Sequence, residues 1–312
     1  VELMTGELDG FVNFIHALDW LDLKDKDKSL VRLWLDGRFG DPIPIARGRK
    51  APEGGMAKPE EVEAFTGIWQ RARTLIGEER FLNWQISFPG VWNNWTSKDR
   101  EGGFDAVVGN PPWDRIKLQQ VEWFAARRPE IAAEPRAADR KTRVEQLVES
   151  GDPLAEEFKT AERRANDTLR MARFSSGKST KGAGSGTKVP PRSDHYPMLS
   201  GGDINLYSLF VERAHALAKP DGLVGLLVPI GIGADKTSAD YISSVTKNQQ
   251  LKAFIAFENK RRWLFKDVHA EDQPTILIAT NAKRQYPRFR YAVKLHTLPI
   301  EQSDPTVMMD AA

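Results

Sequence analysis

Between residues 104 and 113 the chain reads Phe104-Asp105-Ala106-Val107-Val108-Gly109-Asn110-Pro111-Pro112-Trp113. The apolar run bounded by glycines has the composition of a compact buried strand, and Gly109 closes it. The two prolines that follow fix φ and carry no N–H, so the loop after the strand displays its carbonyls in a stiff, preset shape. Open α/β sheets hold their ligands in such loops, at the carboxyl ends of strands.

Upstream, Phe11, Phe14, Ile15, Leu18 and Leu21 recur at helical spacing and predict an amphipathic helix over residues 7–23. Residues 31–35 are a short strand candidate, ending in a turn-rich segment at 36–43. A polar stretch rich in Pro and Gly covers 44–59, a helical pattern 60–80, and an alternating segment at 81–89 predicts a strand or extended chain. Downstream, residues 114–173 are rich in Ala, Leu, Glu and Arg and poor in β-branched residues, which predicts a helical insertion. Its tail at 175–192 is made of Gly, Ser and Lys, and between Asp167 and Arg192 six basic residues stand against one acidic. Such composition cannot bury a core and predicts a mobile loop. Alternation then resumes with a helix at 206–218, a turn at 219–222, a strand at 223–228, a helix at 238–246 and strands at 251–257 and 275–280. Residues 288–295 alternate with period two and read as an edge strand. Strand and helix taking turns argue for a layered α/β sheet. The expected division is residues 1–113, ending in the loop, an insertion with a basic tail at 114–200, and a second part of the core at 201–312.

A chain of 312 residues, 40% of them apolar, can bury a sizeable core. No run approaches the roughly 18 apolar residues of a membrane span and no secretory pattern opens the chain, so a soluble, cytoplasmic protein is expected. The absence of cysteine excludes disulfides and thiolate zinc sites, and the five histidines show no paired metal spacing, so no metal is expected. With a net charge of only +2, any affinity for nucleic acid must come from how the basic residues are distributed. Val1 stands where an initiator methionine would, and the chain reads as a fragment of a longer protein.

The Asn110 loop suggests a chemistry. The lone pair of an exocyclic amino group is delocalised into its ring and must be drawn out before the nitrogen can attack. Two acceptors, the Asn110 side-chain oxygen and the Pro111 carbonyl, would each take one N–H and favour a pyramidal nitrogen. Trp113 offers a face on which an extruded base can stack. A proline-rich turn whose tryptophan merely packs is the competing reading.

At these residues the chain resembles the amino-methyltransferases, in which an [Asn/Asp]-Pro-Pro-aromatic loop closes the fourth strand of a Rossmann-like sheet. Residues 104–118 are similar to the large adenine-N6 DNA methylases of type IIG restriction-modification and phage-defence systems. So are Gly202-Asp203-Ile204-Asn205-Leu206-Tyr207 with the segment to Ala214, Lys219-Pro220-Asp221-Gly222, and Phe257-Glu258-Asn259-Lys260-Arg261-Arg262 with Phe265. The resemblance implies an α/β, Rossmann-like methyltransferase sheet with S-adenosyl-L-methionine as cofactor and double-stranded DNA with a flipped adenine as partner. It also implies a glycine loop after the first strand and an acidic residue after the second. Neither occurs upstream of residue 104, so the sheet is expected to be incomplete at its N-terminal strands and the missing region to lie in the same polypeptide.

The resemblance makes Asp41 a candidate beside the cofactor adenine, with Gly40-Asp41-Pro42-Ile43 as a third-strand loop, although a turn or cap aspartate reads equally well. Asp203 and Asn205 fall in a block that lies beside the cofactor pocket in the family, and each also reads as a helix N-cap. His269 holds the position of a second aromatic against the target base, or of a surface histidine. Phe257 reads as core. Lys178, Lys181, Lys188 and Arg192 could follow a nucleic-acid backbone or belong to a solvated linker. Glu157-Phe158-Lys159 fits half of a nuclease site but sits in a helical run, so no nuclease is expected. The expected activity is site-specific adenine-N6 methylation of DNA. RNA or protein glutamine as acceptor, and an inert nucleic-acid-binding fragment, are the alternatives.

Overall fold

The computed structural model describes all residues except 1, 93–100, 176–179, 182–187, 190–192, 261, 263–264, 267–272, 296–306 and 312. The chain divides into two compact units, Val1–Glu101 and Gly102–Ala312.

The described residues of the first unit are helical: α1 (Glu2–Trp20), α2 (Asp25–Leu35), α3 (Pro42–Ala46), α4 (Pro59–Glu79) and α5 (Trp84–Ser87). Phe14, Ala17 and Leu18 of α1, Leu30 and Trp34 of α2, and Phe65, Ile68 and Ala72 of α4 recur three and four residues apart and meet in one core. Phe39 stacks on Phe65 at 4.7 Å between ring centroids. Two expected strands are helices here. Residues 31–35 belong to α2, whose buried positions are Leu30 and Trp34, one helical turn apart, while Leu35 is exposed. The alternation of Val31, Leu33 and Leu35 was therefore a coincidence of spacing. Within residues 81–89, Trp84–Ser87 forms a short helix that buries Ile86.

The second unit is the α/β sheet. Its elements begin with β1 (Phe104–Gly109), then the expected helical insertion as α6 (Gln120–Ala125), α7 (Pro129–Ala132), α8 (Ala137–Glu149) and α9 (Pro153–Ala172), and a small hairpin of β2 (Thr180–Lys181) and β3 (Lys188–Val189). There follow α10 (Leu206–Leu217), β4 (Ala218–Pro229), α11 (Gly231–Ala234), α12 (Ala239–Lys247), β5 (Leu251–Phe257), β6 (Pro274–Thr280), β7 (Arg288–Leu295) and β8 (Val307–Asp310). Six strands form an open sheet in the order β1-β4-β6-β5-β7-β8. β1 and β4 are parallel, β6 runs antiparallel between β4 and β5, β7 lies parallel to β5, and β8 closes the far edge antiparallel to β7.

Val224, Leu226 and Val228 of β4 point to one face, where Tyr207, Val211 and Ala214 of α10 and Tyr241 and Val245 of α12 cover them. β5 is apolar on both faces, with Phe254 and Ala256 in this core and Ala253, Ile255 and Phe257 in a second. Phe124, Ile131 and Phe158 hold the insertion together. No described helix is long and apolar enough to cross a membrane.

Three expectations change. β1 has the expected bounds but is not a buried strand: among the described residues it forms a sheet edge, paired only with β4, and Val108 is 82% exposed. Residues 288–295 form a strand with a partner on each side, because β8 takes the edge. Residues 219–222 lie inside β4, which starts at Ala218. Gly103, at φ +125°, permits the close start of the β1–β4 pair, since a Cβ there would lie 2.6 Å from the Lys219 amide nitrogen.

Candidate active site at the Asn110 loop

The strand β1 delivers its last residue, Gly109, opposite Leu226 of the parallel β4, so residues 110–113 leave the sheet at the carboxyl end of a parallel pair. The Pro111 ring is buried, whereas Asn110 and Pro112 are exposed and Trp113 is half-buried. Trp113 packs against the main core and its indole Nε1–H donates to the Leu227 carbonyl of β4 at 3.4 Å, which fixes the ring plane. Asn110, Pro111, Pro112 and Trp113 line an open cavity of about 300 Å³ whose fifth wall is Phe265. That volume falls at the low end of small-molecule sites, about 300–1,000 Å³, and suits one planar ring.

Phe265 comes from the loop after β5. The fully buried Asn259 holds it by the backbone: its Nδ2 donates to the Phe265 carbonyl at 2.9 Å, and its Oδ1 accepts from the Phe265 N–H at 3.3 Å. Phe265 had appeared only as part of a sequence block. The second aromatic of the site had been sought at His269, which lies outside the described residues. The usable signal was the Phe257-Glu258-Asn259 run, where a buried amide two residues past a strand end must find backbone partners.

Beyond Trp113 the chain turns alongside the segment that leads into α10. Ile116 N–H donates to the Ile204 carbonyl at 3.2 Å, Leu206 N–H to the Asp114 carbonyl at 2.9 Å, and Arg115 bridges Asn205 antiparallel. Asp203 and Asn205 are thereby brought next to the residues that follow the loop. Asn205 occupies the N-cap position of α10 without a side-chain cap hydrogen bond. Burial pushes the Tyr207 phenol above its ordinary value, opposed by hydrogen bonding with Asn205 and Ser208. Asp203 is exposed and faces a separate cavity of about 500 Å³ together with Arg115, Lys117 and Arg173. Behind α10, the buried Glu212 carboxylate accepts from the Met198 and Leu199 N–H groups, both at 2.9 Å, and ties the chain before the Asp203 block to the helix.

Asp41, in the first unit, caps α3: its carboxylate accepts from the Ile43 N–H at 3.1 Å with Pro42 at the first helical position. No strand precedes it, since α2 stands where the third strand was expected. Lys181 and Lys188 lie opposite each other in the β2–β3 ladder. Lys178 and Arg192 are outside the described residues. Among the described residues no strand precedes β1, so the glycine loop and ribose-binding carboxylate that the family sets on its first two strands have no counterpart there.

No curated protein matches the chain. Among the solved structures it matches is one from Listeria monocytogenes, described as a class I S-adenosylmethionine-dependent methyltransferase. The two are 14% identical over 92% of each chain with a TM-score of 0.25, a likeness too loose to bear on the chemistry. The model of the Eco57I restriction-modification methylase family matches residues 32–141, about a third of the chain, including the whole Asn110 loop. Over that segment the resemblance to restriction-modification methylases stands, and with it S-adenosylmethionine as the methyl donor of this family.

Proposed function

We propose that the Asn110 loop is the base-holding site of a DNA adenine-N6 methyltransferase of restriction-modification or phage-defence type. The observation that carries this reading is the cavity lined jointly by Asn110, Pro111, Pro112, Trp113 and Phe265. When bound, S-adenosylmethionine supplies the methyl group. The chain's own residues prepare the acceptor. An extruded adenine lies between the Trp113 and Phe265 rings, where each base–aromatic contact contributes roughly 1–3 kcal/mol. Its two amino hydrogens donate to Asn110 Oδ1 and the Pro111 carbonyl, which turns the nitrogen lone pair out of the ring plane. Burial of the Pro111 ring fixes its carbonyl, and the Trp113–Leu227 hydrogen bond fixes the stacking face, so both are in place before the base arrives.

The test is transfer of a labelled methyl group to duplex DNA, RNA and a glutamine-containing peptide. DNA adenine is expected to be labelled, and Asn110→Ala should lower the rate by about 100-fold or more, as expected on removing one preorganised hydrogen-bonding group. Undiminished transfer by Asn110→Ala would overturn the mechanism. Labelling of RNA or peptide in place of DNA would overturn the substrate.

A further inference from the structure

The cavity beside the Asn110 loop has the chemistry of a phosphate site. Residues 115–117 continue the chain past Trp113 through a bend, with Arg115 and Lys117 exposed and Ile116 buried between them. Both cations line the same cavity. Ile116 turns inward to Ala172, Ile204 and Leu209, which pins the segment against the end of the helical insertion. Asn166 and Leu169 of α9 and Arg173, its C-cap, line the same cavity at the i, i+3, i+7 spacing of one helix face. The result is a cavity of about 500 Å³ with three cations and one carboxylate, Asp203, among its walls.

The cations are available to a ligand. Among the described residues neither Arg115 nor Lys117 has an ion-pair partner. Arg173 donates from Nη2 to the Gly202 carbonyl at 2.6 Å, which orients the guanidinium and leaves most of its five N–H donors unused. The same Arg173 also lines a neighbouring cavity of about 740 Å³ that Ser193, Ser200, Lys236 and Thr237 share.

We infer that Arg115, Lys117 and Arg173 bind the backbone phosphates next to the base held at Asn110. The inference rests on the nucleic-acid reading above and deepens it. A base extruded into the Trp113 cavity keeps its sugar and flanking phosphates, and these must leave the cavity past the residues that follow Trp113. The helical insertion then has a task, since α9 supplies the third cation of a groove whose other two come from the catalytic segment.

The experiment measures binding of a fluorescent single-stranded oligo-dA by anisotropy across a salt series, with the Arg115→Gln/Lys117→Gln double variant against wild type. Loss of two phosphate contacts should lower the magnitude of the slope of log K against log salt by about 1.4, at about 0.7 per contact on a single strand. Affinity should fall alike for unrelated sequences. Lys117→Glu should repeat the effect, and Arg143→Gln, on the exposed face of α8, should leave the slope as it is. Circular dichroism confirms that each variant is folded. A folded double variant with the wild-type slope overturns the phosphate site even if Asn110→Ala abolishes methylation, in which case the function stands without it. A reduced slope in a protein that methylates no adenine upholds the phosphate site and removes the adenine reading. A wild-type protein that does not bind the oligonucleotide overturns both.

Discussion

Replacing Asn259 with alanine tests whether the second wall of the base cavity is held where it is needed. The Asn259 side chain is fully buried and makes two hydrogen bonds to the Phe265 backbone, at 2.9 and 3.3 Å. Net hydrogen-bond contributions of about 0.5–1.5 kcal/mol each put the loss from this pair at about 1–3 kcal/mol, which urea denaturation would register as a lower midpoint. The more telling quantity is base affinity. If Phe265 is freed, its stacking contribution of about 1–3 kcal/mol disappears, a weakening of about 5- to 150-fold. An oligonucleotide with 2-aminopurine at the target position reports stacking through its fluorescence. Asn259→Ala and Phe265→Ala should raise that signal to the same extent and raise KM more than they lower kcat. Asn259→Ala should lower stability as well, whereas Phe265→Ala keeps both backbone bonds. Wild-type stacking by a folded Asn259→Ala protein would refute the positioning argument, and wild-type stacking by Phe265→Ala would refute the role of the ring itself.

Two further outcomes follow from the sheet. Gly103→Ala should destabilise by about 1–3 kcal/mol, because φ is +125° and the added carbon would meet the Lys219 backbone at 2.6 Å; an unchanged denaturation midpoint would contradict this. His215 is bonded on both ring nitrogens, to Asn281 Oδ1 and the Tyr241 hydroxyl, each at 2.8 Å, and burial holds it below its ordinary value of 6.5, against the hydrogen bond that Asn281 Oδ1 accepts from its Nδ1–H. The unfolded chain therefore takes up a proton first as pH falls, so stability is full above about 6.5 and declines below it. Urea midpoints at pH 7.5 and 5.5 check the sign, with the lower midpoint expected at 5.5 in wild type and a smaller difference in His215→Gln.

What could be read from residue order was largely local. β5 has the expected bounds because Leu251–Phe257 is buried on both faces and therefore nearly all apolar. The helices between Gln120 and Ala172 were legible from composition, and the Asn110 loop from two prolines after a glycine-closed strand. What failed depended on partners remote in sequence. Whether residues 288–295 form an edge is decided by β8, and whether Val108 is covered by what pairs with β1. In the first unit, Trp34 finds Phe14 and Phe65 at helical spacing, a requirement that overrides the alternation around it. The site shows the same limit. Asn110, Pro111, Pro112 and Trp113 are consecutive and could be found together, but Phe265 joins them only through a loop anchored on Asn259. The basic groove at Arg115, Lys117 and Arg173 needed the fold of α9 to assemble.

The threading of β6 between β4 and β5 sets a timetable for synthesis. β1 leaves the ribosome before the other strands of its sheet, but its partner β4 begins only at Ala218, and β4 lacks its second neighbour until Thr280 has been made. The insertion can fold meanwhile on its own Phe124–Ile131–Phe158 cluster, because its contacts are local. Asn110 and its prolines are thus translated long before the sheet that supports them. A nascent chain of this protein carries the Asn110 loop without its facing wall, and the cavity can close only after the chain through Phe265 has been made.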